Sequence, residues 1–185
     1  MSYQVRVTTR DDLSAVKAVH LDAFGDEQGP EVVELVSNLL HDKSALPILS
    51  LIAETDKKAI GHVLFTSTSI MGAKDESFRS SILAPLAVAK ESHKLGVGTA
   101  LVEQGLKDLK DSGVSLVFVL GDPKYYSRFG FQVAAPHQLK PPYQLPEEYQ
   151  DAWMLLELQA GALEGMSGGV VKCADALSDE KHWRE

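Results

Sequence analysis

One stretch, Ser80 to Leu120, restricts the fold more than any other part of the chain. An apolar run, Ser80–Val88, leads through a polar turn to Gly96 and Gly98. These glycines open a helix expected to reach Ser112, and a second apolar run, Leu116–Leu120, follows. In the helix, Val97, Leu101, Val102, Leu106 and Leu109 share one face. Glu103, Gln104, Lys107, Lys110 and Asp111 share another, the 3.6-residue pattern of a helix lying on a core. Gly113 ends it, with Lys110 in the last turn where the helix dipole favours a cation. Leu116–Leu120 is uninterrupted apolar sequence rich in β-branched residues, as expected of a strand buried on both faces. The strand–helix–strand order reads as a right-handed βαβ crossover of parallel strands. An α/β domain follows.

The flanking sequence supplies antiparallel strands. Tyr3–Thr8 alternates with period two. Leu13, Val16, Val19, Ala23 and Phe24 form a helical stripe stopped by Gly25. A second helix is expected from Pro30 or Glu31 to His41, on the stripe Val32, Leu35, Val36 and Leu39. Ile48–Thr55 and Ala59–Ile70 read as strands around a turn at Asp56, Lys57 and Lys58. Pro85 inside the third strand predicts an edge, a bulge or a local splaying, because proline cannot donate to the ladder. A short helix over Pro123–Arg128, a strand opening at Phe131, a loop over Pro136–Tyr149 with four prolines, and a strand Trp153–Leu158 complete the reading. Gly161–Lys172 reads as a weak hairpin, and the polar residues beyond Asp175 as a frayed tail. The division expected is one domain over 1–173 and a polar tail over 174–185.

Bulk properties narrow the function. A net charge of −8 argues against non-specific nucleic-acid binding, which needs a basic surface to release counterions. There is no signal-peptide start and no apolar run of spanning length, so a cytoplasmic protein with no membrane partner is expected. The one cysteine, Cys173, excludes an internal disulfide and a cysteine-pair metal site, and no metal is expected.

The glycine-opened turn carries chemistry. Unpaired N–H groups and the positive dipole end converge at a helix start, an arrangement that binds phosphate. Gly96 and Gly98 leave no Cβ to obstruct a diphosphate, while Lys94 and His93 add charge and Thr99 a hydroxyl donor. A close-packed helix start without a ligand is the bland alternative. A dinucleotide fingerprint would need a third glycine where Leu101 stands.

His93-Lys94-Leu95-Gly96-Val97-Gly98 resembles motif A of the GCN5-related N-acetyltransferases (GNAT), Q/R-x-x-G-x-G/A, departing only at His93. Gly61-His62-Val63-Leu64-Phe65, Pro85-Leu86-Ala87-Val88, Gly121-Asp122-Pro123 and Tyr125-Tyr126-Ser127-Arg128-Phe129-Gly130-Phe131 look like the YhbS-like branch of that family. The later Met154-Leu155-Leu156-Glu157-Leu158 and Gly161-Ala162-Leu163 do so too, and the resemblance spans roughly residues 3–173. It implies a mixed, mostly antiparallel sheet with a central parallel βαβ step and a splayed strand, flanked by helices. It also implies direct acetyl transfer from acetyl-CoA to an amine of a small molecule or peptide. By the same resemblance, Leu86, Ala87 and Val88 hold the pantetheine arm and His93, Lys94, Leu95, Gly96, Val97, Gly98 and Thr99 the diphosphate. Tyr126, four residues before Gly130, becomes the acid that protonates the leaving thiolate; a phenol of ordinary pKa near 10 is protonated at neutral pH. Tyr125 is read as a packing residue. Family members often pair through sheet edges, so a homodimer is one implied arrangement.

A base for the amine proton is not evident. Glu54, His62, Asp122 and His137 are the candidates, each with a structural alternative: strand-end carboxylate, sheet histidine, helix cap and loop residue. A CoA-binding sensor without catalysis, and an acyltransferase using other acyl-CoAs, are the competing readings.

Overall fold

The computed structural model describes residues 2–56, 58–73 and 78–184. In chain order its elements are β1 (Gln4–Val7), α1 (Leu13–His41), β2 (Leu49–Thr55), β3 (Lys58–Met71), β4 (Ser80–Val88), α2 (Val97–Asp111) and β5 (Leu116–Leu120). There follow α3 (Pro123–Tyr126), β6 (Gln132–Val133), β7 (Leu139–Lys140), β8 (Trp153–Glu157) and β9 (Gly169–Lys172), with short 3-10 turns between several of them. Lys57 of the expected turn lies outside the described residues.

The sheet runs β1-β2-β3-β4-β5-β8-β6, with β9 beside the far end of β3 and β7 beside β9. Its central β4–β5 pair is parallel, as the βαβ reading requires. The pairs β1–β2, β2–β3, β3–β4, β5–β8 and β6–β8 are antiparallel. This is the mixed, mostly antiparallel sheet expected.

α2 is placed by its stripe. Val97, Leu101, Val102, Leu106 and Leu109 are all buried against one sheet face, with Phe65 and Val117 from the strands. Each such burial contributes on the order of 1.5–3 kcal/mol relative to exposure. Gly105 makes the approach possible: a Cβ there would stand 2.2 Å from the Phe65 ring. The opposite face is covered by α1, whose Val16, Val36 and Leu39 are buried.

The helix break expected at Gly25 is present, with φ 73° and ψ −172° inside the α1 span. Helical structure resumes at once, not at Pro30. Pro30 lies in the first turns of the second half, where the hydrogen bond it lacks would reach back only to Asp26.

β4 explains its proline differently from an edge strand. It is central, and it pairs with β5 only over Ser80–Leu83 against Leu116–Val119. Past Leu83 the two strands separate, while β4 stays paired with β3 as far as Val88. Pro85 therefore sits where no ladder donor toward β5 is needed.

Two expectations fail. Residues 161–172 do not form a hairpin: β9 pairs antiparallel with β3 and parallel with β7, so its partners are distant in sequence. The segment after Asp175 is not frayed. Leu177 and Trp183 are buried, and Trp183 meets the Trp153 ring edge-on at 5.7 Å. The Ala176 N–H donates to Asp42 Oδ2 at 2.9 Å and the Asp175 N–H to Ser44 Oγ at 2.8 Å. Tyr143 also donates to the Ser178 carbonyl.

Candidate active site

The separation of β4 from β5 leaves an opening with a cavity on either side. One cavity, of about 540 Å³, is lined by Leu86, Val88, Ser92, His93, Lys94, Gly96, Val97, Gly98, Thr99, Tyr125 and Arg128. The other, of about 340 Å³, is lined by β4 residues Ile82–Leu86, Tyr126, one face of α1 and the C-terminal segment. Leu86 lines both.

The first cavity gathers most of the residues expected to hold the cofactor. Gly96 is the N-cap of α2 and adopts φ 80°, a left-handed conformation that costs a residue with a Cβ about 1 kcal/mol or more. Gly98 is ordinary helix, but a Cβ there would stand 2.7 Å from Tyr125 Oη. The α2 start thus offers N–H groups of its first turn to the cavity. His93 Nε2–H donates to the Val88 carbonyl at 2.9 Å, tying the turn to the strand end; that bond occupies one of its two ring nitrogens. Two expected residues do not line the cavity. Ala87 is buried on the other side of β4, as strand alternation requires, and Leu95 is exposed.

Three residues missed in the sequence join it: Ser92, which is buried, and the pair Tyr125 and Arg128. Tyr125 is half-buried, and the Arg128 guanidinium lies 4.4 Å from its ring centroid. Burial raises the Tyr125 phenol pKa, against the opposing effects of Arg128 and Thr99. Their three-residue spacing on a short helix is the signal that would have found the pair.

Tyr126 points the other way. It is 9% exposed and packs edge-on against Tyr125 at 5.0 Å and Phe131 at 5.6 Å. Gly121 lets the ring settle, since a Cβ there would stand 2.3 Å from Cε2. Asp122 and Pro123 start the helix that holds both tyrosines: the Asp122 carboxylate accepts the Lys124 N–H at 2.9 Å. Burial raises the Tyr126 phenol well above its ordinary range, so it stays protonated at neutral pH.

None of the four base candidates lines either cavity. Glu54 accepts from Arg6 Nε and Nη2 at 3.0 and 2.9 Å, and Arg6 also grips Asp12. Asp122 is the helix cap. His137 lies by a separate depression with Leu163 and Met166. His62 is fully buried beneath α1, its Nδ1 2.8 Å from His20 Nε2 and its Nε2 2.9 Å from Ser50 Oγ. Desolvation lowers both pKa values and keeps both imidazoles neutral.

Residues 4–134 match the GNAT acetyltransferase domain. The chain belongs to the GNAT acetyltransferase family. This GNAT chain is 39% identical to the uncharacterised N-acetyltransferase YjhQ of Escherichia coli K12, over 94% of its own length and 93% of the relative's. The crystal structure of Escherichia coli YhbS in complex with CoA is similar to it with a TM-score of 0.82 and 30% identity, covering 96% of this chain and 92% of that one. A GNAT acetyltransferase of Brucella melitensis in complex with acetyl-CoA superposes with a TM-score of 0.72 at 26% identity, covering 95% and 97%. Among the described residues no group of three or more His, Cys, Asp or Glu side chains is placed to hold a metal ion. No helix among them is long and apolar enough to cross a membrane.

Proposed function

We propose that this chain transfers the acetyl group of acetyl-CoA directly to an amine, with the cofactor diphosphate at the start of α2 and Tyr126 as the acid for the leaving thiolate. The observation that carries the reading is Leu86, shared by the two cavities. Through the opening between β4 and β5 a pantetheine arm entering from the α2 side reaches the cavity of Tyr126. The β4 backbone from Ala84 to Val88 has no strand partner toward β5, which leaves its polar groups to receive the arm and the developing oxyanion. Cofactor-bound YhbS and the Brucella melitensis enzyme, aligned over nearly the whole chain, support this cofactor.

The electrostatics suit the assignment. A raised phenol is a weaker acid in water, but the desolvation that raises it also raises the proton affinity of a thiolate in the same opening. Transfer from oxygen to sulfur is thereby kept near balance. Direct attack then depends on positioning amine and thioester together.

Calorimetry with CoA and thiol release from acetyl-CoA across an amine panel test the reading. Tyr126→Phe should lower kcat by roughly 10²-fold while CoA affinity stays within about twofold, the usual loss when a general acid is removed. CoA binding without thiol release for any amine would make the chain a CoA-binding module. Absence of CoA binding would end the proposal.

A further inference from the structure

The cavity containing Tyr126 is bordered by residues of the segment 177–183, and that segment brings it an imidazole. Lys181, His182 and Trp183 line the cavity opposite β4, with Glu31 of α1 facing them. His182 is held in place by its neighbours: Trp183 is 2% exposed and donates from Nε1 to the Leu177 carbonyl at 2.9 Å. The His182 side chain is only 12% exposed, and its Nδ1 lies 4.0 Å from Glu31 Oε1.

We propose that His182 takes the acceptor's proton, and that the cavity it shares with Tyr126 admits a small primary amine with a single apolar body. This rests on the acetyltransferase reading above and names its missing base and acceptor class. Polar groups enter the lining from Gln28 and Glu31 of α1 and from Lys181 and His182, and the remaining walls, among them Phe24, Val32, Leu35, Leu120 and Trp183, suit hydrocarbon or an aromatic ring. The one carboxylate in the lining, Glu31, already faces Lys181 Nζ at 3.6 Å as well as His182. It is therefore compensated within the chain, and a second ammonium on the acceptor finds no unpaired anion there. At about 340 Å³ the space is of small-molecule size.

The groups acting on the imidazole are Lys181 and Asp179 of its own turn and Glu31 and Glu34 of α1, and the neutral Tyr126 shares its cavity. Burial and then Lys181 lower its pKa below the ordinary 6.5, against Glu31, Asp179 and Glu34, so the ring is an unprotonated base at neutral pH. The amine enters neutral, and its lone pair attacks the thioester carbonyl carbon. The C–N bond forms, the carbonyl π pair moves to oxygen, and the N–H proton passes to His182. Collapse of the tetrahedral intermediate breaks C–S. The sulfur keeps that pair and takes the Tyr126 proton, and the imidazolium then returns its proton to the tyrosinate through solvent. Amide and CoA thiol leave, with the protein unchanged.

The test is thiol release from acetyl-CoA with 2-phenylethylamine, n-hexylamine and spermidine between about pH 5.5 and 8.5, alongside calorimetry with CoA. Both monoamines should turn over, spermidine at least about tenfold less efficiently. For wild type, log kcat/KM should rise with pH at a slope of about one where only the amine titrates, and steepen to about two below the His182 pKa. His182→Gln should lower kcat/KM by roughly 10²-fold, keep CoA affinity within about twofold, and show the shallow slope throughout. A purely structural histidine would not remove the steepening. Glu31→Gln, which leaves the segment 177–183 intact, should move the break to lower pH. A break that persists in His182→Gln, or that does not move in Glu31→Gln, overturns the proposal. So does CoA binding with neither monoamine acetylated. Failure to bind CoA instead sinks the acetyltransferase reading beneath it.

Discussion

Lowering the pH from 7 to 5.5 should remove a defined amount of stability through the buried pair His20 and His62. Both rings are fully buried and hydrogen-bonded to each other at 2.8 Å, and burial lowers both pKa values well under 6.5, with the charge of His20 lowering His62 further. The folded state therefore holds both rings neutral, while in the unfolded chain each titrates near 6.5. Between those limits the unfolded state binds more protons, so stability is full above about pH 6.5 and falls as pH drops through it. For one ring the loss between pH 7 and 5.5 is RT times the change in ln(1 + 10^(6.5−pH)), about 1.3 kcal/mol, and for the pair about 2.5 kcal/mol. His182, lowered in the same sense, adds to it. Asp12, Asp42 and Glu54, held low chiefly by side-chain hydrogen bonds, contribute stability that is lost only below about pH 5, outside this interval. Urea unfolding at the two pH values measures the difference. Equal stability within about 0.5 kcal/mol would mean instead that at least one ring is protonated in the fold. A His20→Leu/His62→Leu double variant should lose most of the pH dependence.

Gly105→Ala should destabilise by about 1–2 kcal/mol, because overpacking against the Phe65 ring outweighs the roughly 1 kcal/mol of helix propensity gained, and thermal melting reads the sign. Gly98→Ala keeps an ordinary helical conformation and should leave the melting temperature unchanged or raised. Its Cβ displaces the Tyr125 hydroxyl, however, and calorimetry should show CoA affinity reduced about tenfold, the change expected when the backbone can no longer approach a diphosphate closely.

The cavity proposed for the cofactor was legible because it is local. Residues 86–99 run continuously from strand to helix start, and α2 announces itself by an apolar stripe on every turn. β4 and β5 have the bounds that their apolar runs mark. The cavity proposed for the acceptor is assembled from separate stretches: α1 near Phe24–Leu35, β4 near Pro85, Leu120 of β5, α3 at Tyr126, and the segment Leu177–Trp183. In that last segment only Leu177 and Trp183 bury large apolar side chains, six residues apart in short 3-10 turns, so it carries neither helical nor strand period. What fixes it is Trp153, thirty residues earlier, and the Asp42 carboxylate at the end of α1, neither of which leaves a mark on the sequence around His182. The same limit governs the four bases suggested by residue type. Glu54 is claimed by Arg6 of the neighbouring strand and His62 by His20 of the covering helix. A side chain's chemistry is readable from its identity, but its availability is set by partners that only the fold brings near. On the proposed reading, recognition of the acceptor falls within that second category, because the His182 and Trp183 that border the cavity are brought to it by the fold alone.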